Sequence, residues 1–183
     1  MQKALVDLAR RGDEEAFADL ARAVGDRLMA IAYRILRDVD RAEDAVQQAL
    51  VTAWRELPML RDDDRFDAWL RRILVHACYA EARRRRIWAA NVRVLPADGP
   101  AGRDDMAMVI ERDRLERGFR RLSPEQRAIF VLHHHVGMTL PEIADELGVP
   151  LGTVKSRLHY ATDGLRAALD ADARPVTSTE RLA

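Results

Sequence analysis

Residues 139–160, TLPEIADELGVPLGTVKSRLHY, carry the pattern of two short helices joined by a tight turn. Thr139 can cap the first helix, and Glu142, three residues later, completes a capping box. Gly148 suits the left-handed position that follows a helix. Pro150 cannot continue the first helix, so the second is expected to begin directly after it. The stretch therefore predicts a helix-turn-helix, the arrangement from which we interpret the rest of the chain.

The second helix of this motif has two chemically different faces. Its apolar stripe follows helical spacing and consists of Val154, Leu158, Ala161 and Leu165. Small, hydroxyl and cationic side chains lie on the opposite face or at its edges: Gly152, Thr153, Lys155, Ser156, Arg157 and Tyr160. Cations can hold phosphates while small residues let a helix approach base edges in the major groove. The face therefore favours duplex DNA binding, and an ordinary helical hairpin with a charged surface is the alternative.

The composition limits the class of protein. The chain has 183 residues, 48% hydrophobic and 33% charged, without the alternation typical of strands, which favours a helical fold. Its 30 basic and 30 acidic residues cancel, so any basic surface must be local. A single cysteine, Cys78, excludes an internal disulfide and a multi-cysteine metal site. We expect no membrane insertion and a cytoplasmic protein, because no signal peptide or long apolar run is visible.

Three helices are predicted after a short first helix over residues 3–10. Asp13 caps a long amphipathic helix, and Asp40 with Glu43 marks the start of the next. The expected buried face of that second long helix is Ala42, Val46, Ala49, Leu50, Ala53 and Leu57. Its opposite, exposed face carries Asp44, Gln48, Val51 and Arg55. Pro58 ends this helix, and the acidic run at residues 62–64 is either a solvated capping loop or a functional loop.

The third long helix is predicted over residues 66–88 and ends in four consecutive arginines, Arg83, Arg84, Arg85 and Arg86. Its expected apolar face is Phe66, Trp69, Leu70, Ile73, Ala77 and Ala80. Cations complement the dipole at a helix C-terminus, but four exceed what a cap requires. Together with Arg71 and Arg72 they predict a cationic surface suited to phosphates.

A composition change divides the chain. Proline and glycine cluster between residues 89 and 106, which indicates a flexible linker. The predicted fold is all-α, with two small helical domains at residues 1–88 and 107–172. The second domain adds a helix over residues 107–122 and one capped by Ser123 and Gln126, with Gly137 at its end. Residues 173–183 form a tail with few large apolar side chains.

No residue set predicts catalysis, a cofactor or a metal site. His133, His134 and His135 are consecutive on a helix and point about 100° apart, so they cannot chelate one ion as a local set. We interpret them as structural or solvent-facing residues. Cys78 is interpreted as a small packing residue.

Both halves resemble one known family, the extracytoplasmic-function (group 4) sigma factors of bacterial RNA polymerase. The N-terminal half carries GDEEAF, DRAEDAVQQALVTAW and FDAWLRRI followed by the arginine run. The C-terminal half carries LSPEQRAIFVL and EIADELGVPLGTVKSRL. The resemblance covers residues 12–169, and the order and spacing of the motifs make it specific.

The resemblance implies a function for each half. Region 2, residues 1–88, would bind the coiled coil of the largest polymerase subunit through Asp44, Gln47, Gln48 and Arg55. It would capture the melted −10 promoter element with Arg61, Arg65, Arg72, His76 and the arginine run at residues 83–86. Region 4, residues 107–172, would read the −35 element in duplex form with the exposed face of its second helix. An anti-sigma factor is an expected partner, since many family members are held inactive by one.

Three positions depart from the family pattern. His76 stands where Asn is common, Ala80 where Asp is frequent, and Gln48 where an acidic residue is commoner. The first two lie near the expected −10 surface, so the base preference there is open. The alternative function is an autonomous helix-turn-helix regulator, which would not need the N-terminal motifs. A metal-dependent hydrolase is disfavoured, because neither ligand geometry nor an acid–base pair is predicted.

Overall fold

The computed structural model describes residues 2–91 and 116–173, and every regular element within these ranges is a helix. The α-helices are α1 (Gln2–Arg10), α2 (Glu14–Leu36), α3 (Val39–Glu56), α4 (Phe66–Asn91), α5 (residues 116–121), α6 (Pro124–His134), α7 (Leu140–Leu147) and α8 (Leu151–Ala173). Two short 3₁₀ helices, Leu57–Met59 and Asp63–Arg65, connect α3 to α4. The predicted all-α fold class is confirmed for these ranges.

The helix starts follow local sequence signals. Asp13 accepts a hydrogen bond from the backbone N–H of Ala16 at the start of α2. Complete capping boxes begin α6, with Ser123 and Gln126, and α7, with Thr139 and Glu142. Gly148 ends α7 at φ +65°, the left-handed conformation expected for it. These predictions are confirmed. They could be made from the sequence because each signal lies within one helical turn.

The start of α3 differs from the prediction. Asp38, not Asp40, is the N-cap, and its carboxylate accepts from the backbone N–H of Arg41 at 3.2 Å. Arg37 ends α2 in the left-handed conformation, at φ +57°. Because the chain reverses there, Asp38 already occupies the extended cap position, and Asp40 falls in the first turn of α3, where its charge complements the helix dipole.

Four alanines let α3 lie close to its neighbours. Ala42, Ala45, Ala49 and Ala53 are all buried where α3 packs between α2 and α4. Ala45 takes the buried position expected for Val46, which is only half-buried. Larger side chains of α2 and α4 fill the core between the helices, and small residues on α3 allow close helix approach without voids.

The acidic loop is held by α1. Asp62 caps the second 3₁₀ helix by accepting from the backbone N–H of Asp64. Asp64 forms an ion pair with Lys3 at 2.8 Å, and Asp63 one with Arg10 at 3.0 Å. These contacts favour the structural interpretation of the acidic run.

Helix α4 is buried on two sides. Leu70, Leu74, Val75 and Cys78 are fully or almost fully buried, because α3 packs on one side of α4 and α6 with α7 on the other. The predicted apolar face therefore describes only part of the contact. Ala80, expected inside, is exposed, and Ile73 and Ala77 are half-buried.

The C-terminal helices pack directly against the N-terminal ones. Apolar residues of α6, α7 and α8, including Ile129, Leu132 and Ile143, belong to the same buried cluster as α2 and α4. A smaller cluster of Leu122, Ala161 and Leu165 holds α8 against the segment before α6. Helix α6 ends at His134, and Gly137, predicted to end it, lies beyond the His135 cap at φ +84°.

Several predictions fall outside the described residues. These are most of the linker at residues 89–106, of which only 89–91 are described as the end of α4, and the first part of the helix at residues 107–122. The tail lies outside as well, apart from Ala173 at the end of α8. The domain bounds at residues 88, 106 and 172 stay a prediction.

Candidate nucleic-acid and partner interfaces

The outer face of α3 is polar and open. It includes the exposed side chains of Asp44, Gln47, Gln48 and Arg55, the four that were predicted to contact a partner. Val51 lies among them with 41% of its surface exposed. Within this face the Gln48 amide donates to the Thr52 hydroxyl at 3.4 Å. The other side of α3 is its alanine-lined core contact, so the polar groups do no packing inside the fold.

Grooves flank this α3 face on both sides. Toward α2, a groove of about 450 Å³ is lined mainly by apolar side chains, with Phe17 and Trp54 in ring contact at 5.0 Å. Toward α4, a more polar groove of about 340 Å³ is lined by Asp44, Gln48 and Arg84, among others. The α3 face therefore offers a partner a polar ridge between two depressions.

The four arginines at residues 83–86 are exposed, but they do not form one surface. Consecutive helical side chains point about 100° apart. Arg84 turns toward α3, where it lines the polar groove and pairs with Glu81 at 3.1 Å. Arg85 is close enough to Arg127 of α6 for its charge to help lower the pKa of Arg127, after the larger effects of burial and of Arg37. The four arginines, which were predicted to form one cationic surface, therefore point to different sides of α4.

The other predicted −10 residues lie along the start of α4 and the loop before it. Arg61, Arg65, Arg72 and His76 are all exposed. Partial burial, and secondarily the charge of Arg72, lowers the pKa of His76 from its ordinary value near 6.5. His76 is therefore neutral near pH 7 and adds no cation to this surface.

Arg71, between these residues, is held by an acidic residue of α7. Its Nε and Nη2 donate to the two carboxylate oxygens of Glu146 at 2.8 and 2.5 Å. The side chains keep only 16% and 6% of their surface exposed. The sequence predicted Arg71 as part of a cationic surface but not its pairing with Glu146. The two residues lie 75 positions apart, and no local pattern indicates that they are in contact.

The proposed recognition face of α8 is largely open. Gly152, Lys155, Ser156 and Tyr160 are exposed as predicted, and Val154, Ala161 and Leu165 are buried beneath them. Thr153 was expected to face outward but is half-buried, as is Arg157. The Ser156 hydroxyl donates to the Thr153 backbone carbonyl at 3.1 Å. The surface of Gly152 is open, since a Cβ at this position would meet no atom within 4 Å.

Arg157 lies near α4 in this arrangement. Burial raises the pKa of Tyr79 on α4 to about 12, and the nearby Arg157 guanidinium opposes that rise. The Tyr79 hydroxyl is buried without a hydrogen-bond partner among the described residues. The charge of Arg157 on α8 therefore acts on a buried residue of α4.

The histidines and the cysteine have structural contacts. His133 Nδ1 lies 2.8 Å from the Met138 carbonyl oxygen, and His134 packs against Phe130 at 4.4 Å. Burial raises the pKa of the Cys78 thiol to about 12. Among the described residues, no group of three potential ligands is placed to hold a metal ion. None of the described helices is long and apolar enough to cross a membrane.

Comparison with family models matches each half of the chain separately. Residues 20–87, from α2 to the arginine run, match the model of sigma-70 region 2. Residues 112–161, which include α6, α7 and the start of α8, match the model of sigma-70 region 4. The polar α3 face and the open α8 face therefore lie in different family regions.

Curated relatives match most of the chain. The RNA polymerase sigma-E factor of Streptomyces coelicolor is 32% identical over 173 residues, covering 93% of this chain and 97% of the relative. The ECF RNA polymerase sigma factor SigL of Mycobacterium tuberculosis is 32% identical, covering 86% and 93%. The chain belongs to the extracytoplasmic-function sigma factors of the sigma-70 family.

Solved structures agree with this assignment. CnrH, solved in complex with the cytosolic domain of CnrY, superposes with a TM-score of 0.65 at 29% identity, covering 94% of this chain and 99% of CnrH. The sigma factor RpoE of Bartonella quintana, solved with the anti-sigma factor NepR, gives a TM-score of 0.67 at 26% identity, covering 85% and 98%.

Proposed function

We propose that this sigma factor directs transcription initiation by binding core RNA polymerase through α3 and promoter DNA through α4 and α8. The observation that carries the proposal is the outer face of α3, where four exposed polar side chains lie on a helix whose inner face is packed with alanine. A polar face that contributes nothing to the core is available for a partner.

The α3 face has the character of a protein interface. Asp44 and Arg55 supply opposite charges near its ends, and Val51 supplies exposed apolar area between them. Interfaces commonly combine apolar contact at the centre with a polar rim that fixes orientation. We assign Asp44, Gln47, Gln48 and Arg55 to the polymerase contact.

The start of α4 and the loop before it would engage the melted −10 element. Single strands bind where cations follow the backbone and bases find a surface on which to stack. Arg61, Arg65 and Arg72 are exposed cations of this segment, and His76, one turn after Arg72 on α4, supplies an exposed aromatic ring. The division of the arginine run makes Arg83 and Arg86 candidates for backbone contacts, whereas Arg84 and Arg85 are directed toward α3 and α6.

Helix α8 would read the −35 duplex. We infer that Gly152 and Ser156 permit close approach to base edges, while Lys155 and the accessible part of Arg157 hold phosphates. Tyr160, 63% exposed, extends the same face by one turn. Thr153 contributes only with the part of its side chain that remains accessible.

The proposed role requires no chemistry by the chain itself, because the polymerase carries out nucleotide addition. We accordingly propose a non-enzymatic protein that needs no cofactor and acts in the cytoplasm with the polymerase. An anti-sigma factor is a further proposed partner, supported by relatives of this fold solved in complexes with CnrY and NepR.

The direct test is run-off transcription by purified core polymerase with and without this protein, on genomic fragments selected for binding to the reconstituted holoenzyme. We expect promoter-dependent transcripts only when both proteins are present. Absence of initiation on every fragment, with a core preparation that is active with another sigma factor, would refute the proposed function.

A further inference from the structure

We propose that Asp145 and Glu146 of α7 occupy a phosphate-binding site formed by Arg65 and Arg71, so that the free protein blocks its own −10 surface. This inference rests on the proposed function, since it assigns the α4 surface to single-stranded DNA. It adds Arg71 to the phosphate contacts and gives α7 a regulatory role.

The contact between Arg71 and Glu146 reproduces how an arginine holds a phosphate. Two parallel N–H groups donate to two oxygens of one anionic group, at 2.8 and 2.5 Å. Carboxylate and phosphate are both bound in this bidentate way by a guanidinium. The Glu146 carboxylate therefore stands where a DNA phosphate oxygen pair would be held.

Two more cations of the same surface face α7. Arg65 Nη2 lies 3.2 Å from Asp145 Oδ2. Arg72 Nη2 lies 3.8 Å from the position that a Cβ on Gly148 would take, at the C-terminal end of α7. A cation is favoured there by the helix dipole. Three arginines on the DNA-facing side of α4 and its preceding loop are thus adjacent to one end of α7.

The buried and the exposed ion pair contribute differently to the stability of the contact between α7 and the α4 surface. Arg71 and Glu146 are almost fully enclosed, whereas Arg65 and Asp145 keep 65% and 78% of their side chains exposed. An exposed pair contributes little, but removing one partner of an enclosed pair leaves the other charge uncompensated. Glu146 therefore holds the closed arrangement, and Asp145 adds a smaller, screened contribution.

Closure lowers the apparent affinity for single-stranded DNA by the fraction of molecules that are open. If about one molecule in ten is open, full release raises the apparent affinity about tenfold. In the proposed cycle, binding of core polymerase separates α7 from α4 and exposes Arg71. Free protein would then be kept from non-productive binding to single strands.

The test measures binding of a mixed-sequence, single-stranded DNA of about 12 nucleotides to the full chain without polymerase. Fluorescence anisotropy titrations would compare the wild type with Glu146→Gln, Asp145→Asn and Asp163→Asn. Asp163 is an exposed carboxylate on α8 that pairs with His159 and Arg166, so its substitution changes the net charge equally but leaves the α4 contact intact.

We expect Glu146→Gln to bind about tenfold more tightly than the wild type and Asp145→Asn about threefold, with Asp163→Asn within about twofold. Small-angle scattering should show the largest radius of gyration for Glu146→Gln, a smaller increase for Asp145→Asn and none for Asp163→Asn. Circular dichroism establishes that each variant is folded. If Glu146→Gln loses helix content, the exposed Asp145→Asn variant decides, because its pair carries no packing.

The proposal is overturned if folded Glu146→Gln binds the oligonucleotide no more tightly than Asp163→Asn does. Initiation assays with saturating core polymerase separate this failure from failure of the proposed function. A wild type that initiates while the oligonucleotide affinities stay equal removes only the blocking role of α7. A wild type that never initiates removes the assignment of the α4 surface as well.

Discussion

The neighbouring helices α3 and α4 each carry a polar face, but one arginine of the α4 face is covered by a residue of another helix. The α3 residues Asp44, Gln47, Gln48 and Arg55 are exposed, while Arg71 of α4 is enclosed with Glu146. Both faces follow from helical spacing in the sequence. What distinguishes them is a contact made by a helix 75 residues further along the chain. A polar face that helical spacing predicts is therefore available to a binding partner only if no other helix of the fold packs against it.

The largest effect is expected from reversing a charge on the open face. Asp44→Arg should weaken binding to core polymerase by about 2 kcal/mol, roughly thirtyfold, because it places a like or unpaired charge in a desolvated contact. Asp26→Arg, an exposed position on α2 with the same charge change, serves as the control. Pull-down titrations and circular dichroism check both. Equal affinity of the two variants would remove α3 from the interface.

Two valines, one on each helix, test the difference in burial between α3 and α4. Val75 on α4 is completely buried, whereas Val51 on α3 is 41% exposed. Val75→Ala should lower the free energy of unfolding by about 1.5 kcal/mol, from lost apolar burial and a residual cavity. Val51→Ala should change it by less than about 0.5 kcal/mol. Urea denaturation measures both, and similar losses would contradict the two-sided burial of α4.

A third prediction tests whether different residues of α8 contact the phosphates and determine the base preference. Arg157→Ala in the holoenzyme should lower promoter affinity about fivefold and by a similar factor for all −35 sequences, with a salt slope smaller by about 1. Arg166→Ala, which changes an exposed arginine nine residues further along α8, is the control. Ser156→Ala should instead change which −35 sequence is preferred. Loss of a single base preference in Arg157→Ala would reverse these roles.

The smallest effect concerns His76. Its pKa is lowered in the folded state, first by partial burial and second by Arg72, so protonation favours the unfolded chain. Stability should therefore fall as the pH drops below the ordinary histidine pKa of about 6.5 and level off below the folded pKa. Thermal melts from pH 7.5 to 5 should show a slightly weaker pH dependence for His76→Asn. Identical profiles would mean that His76 is solvated like a free side chain.

The starts of the helices could be predicted from sequence because their signals are local. The capping boxes at Ser123 and Thr139 and the left-handed Gly148 were all found where expected. The N-cap of α3 was misplaced by two residues, since Asp38 and Asp40 have the same capping chemistry. Only the reversal at Arg37 decides between them.

Contacts between distant segments could not be predicted in the same way. The burial of Leu74, Val75 and Cys78 depends on α6 and α7, which pack on the side of α4 that its periodicity left open. Glu146 lies between Asp145 and Leu147 in a helix whose spacing gives no reason to bury a carboxylate. The Glu146 carboxylate can be buried because the Arg71 guanidinium donates a hydrogen bond to each of its oxygens. The exposed set on α8 was easier, because Val154 and Ala161 determine the inner face by themselves.

We expect this sigma factor to recognise promoters tightly only together with core polymerase. Its zero formal charge gives weak long-range attraction to DNA, and each proposed reading surface is small. Duplex promoter must also be melted at −10, at about 1–2 kcal/mol per base step. A promoter-binding titration at physiological salt, with and without core enzyme, tests this directly. We expect tight, sequence-specific binding only with core enzyme; equally tight, specific binding by the free protein would instead indicate an autonomous regulator.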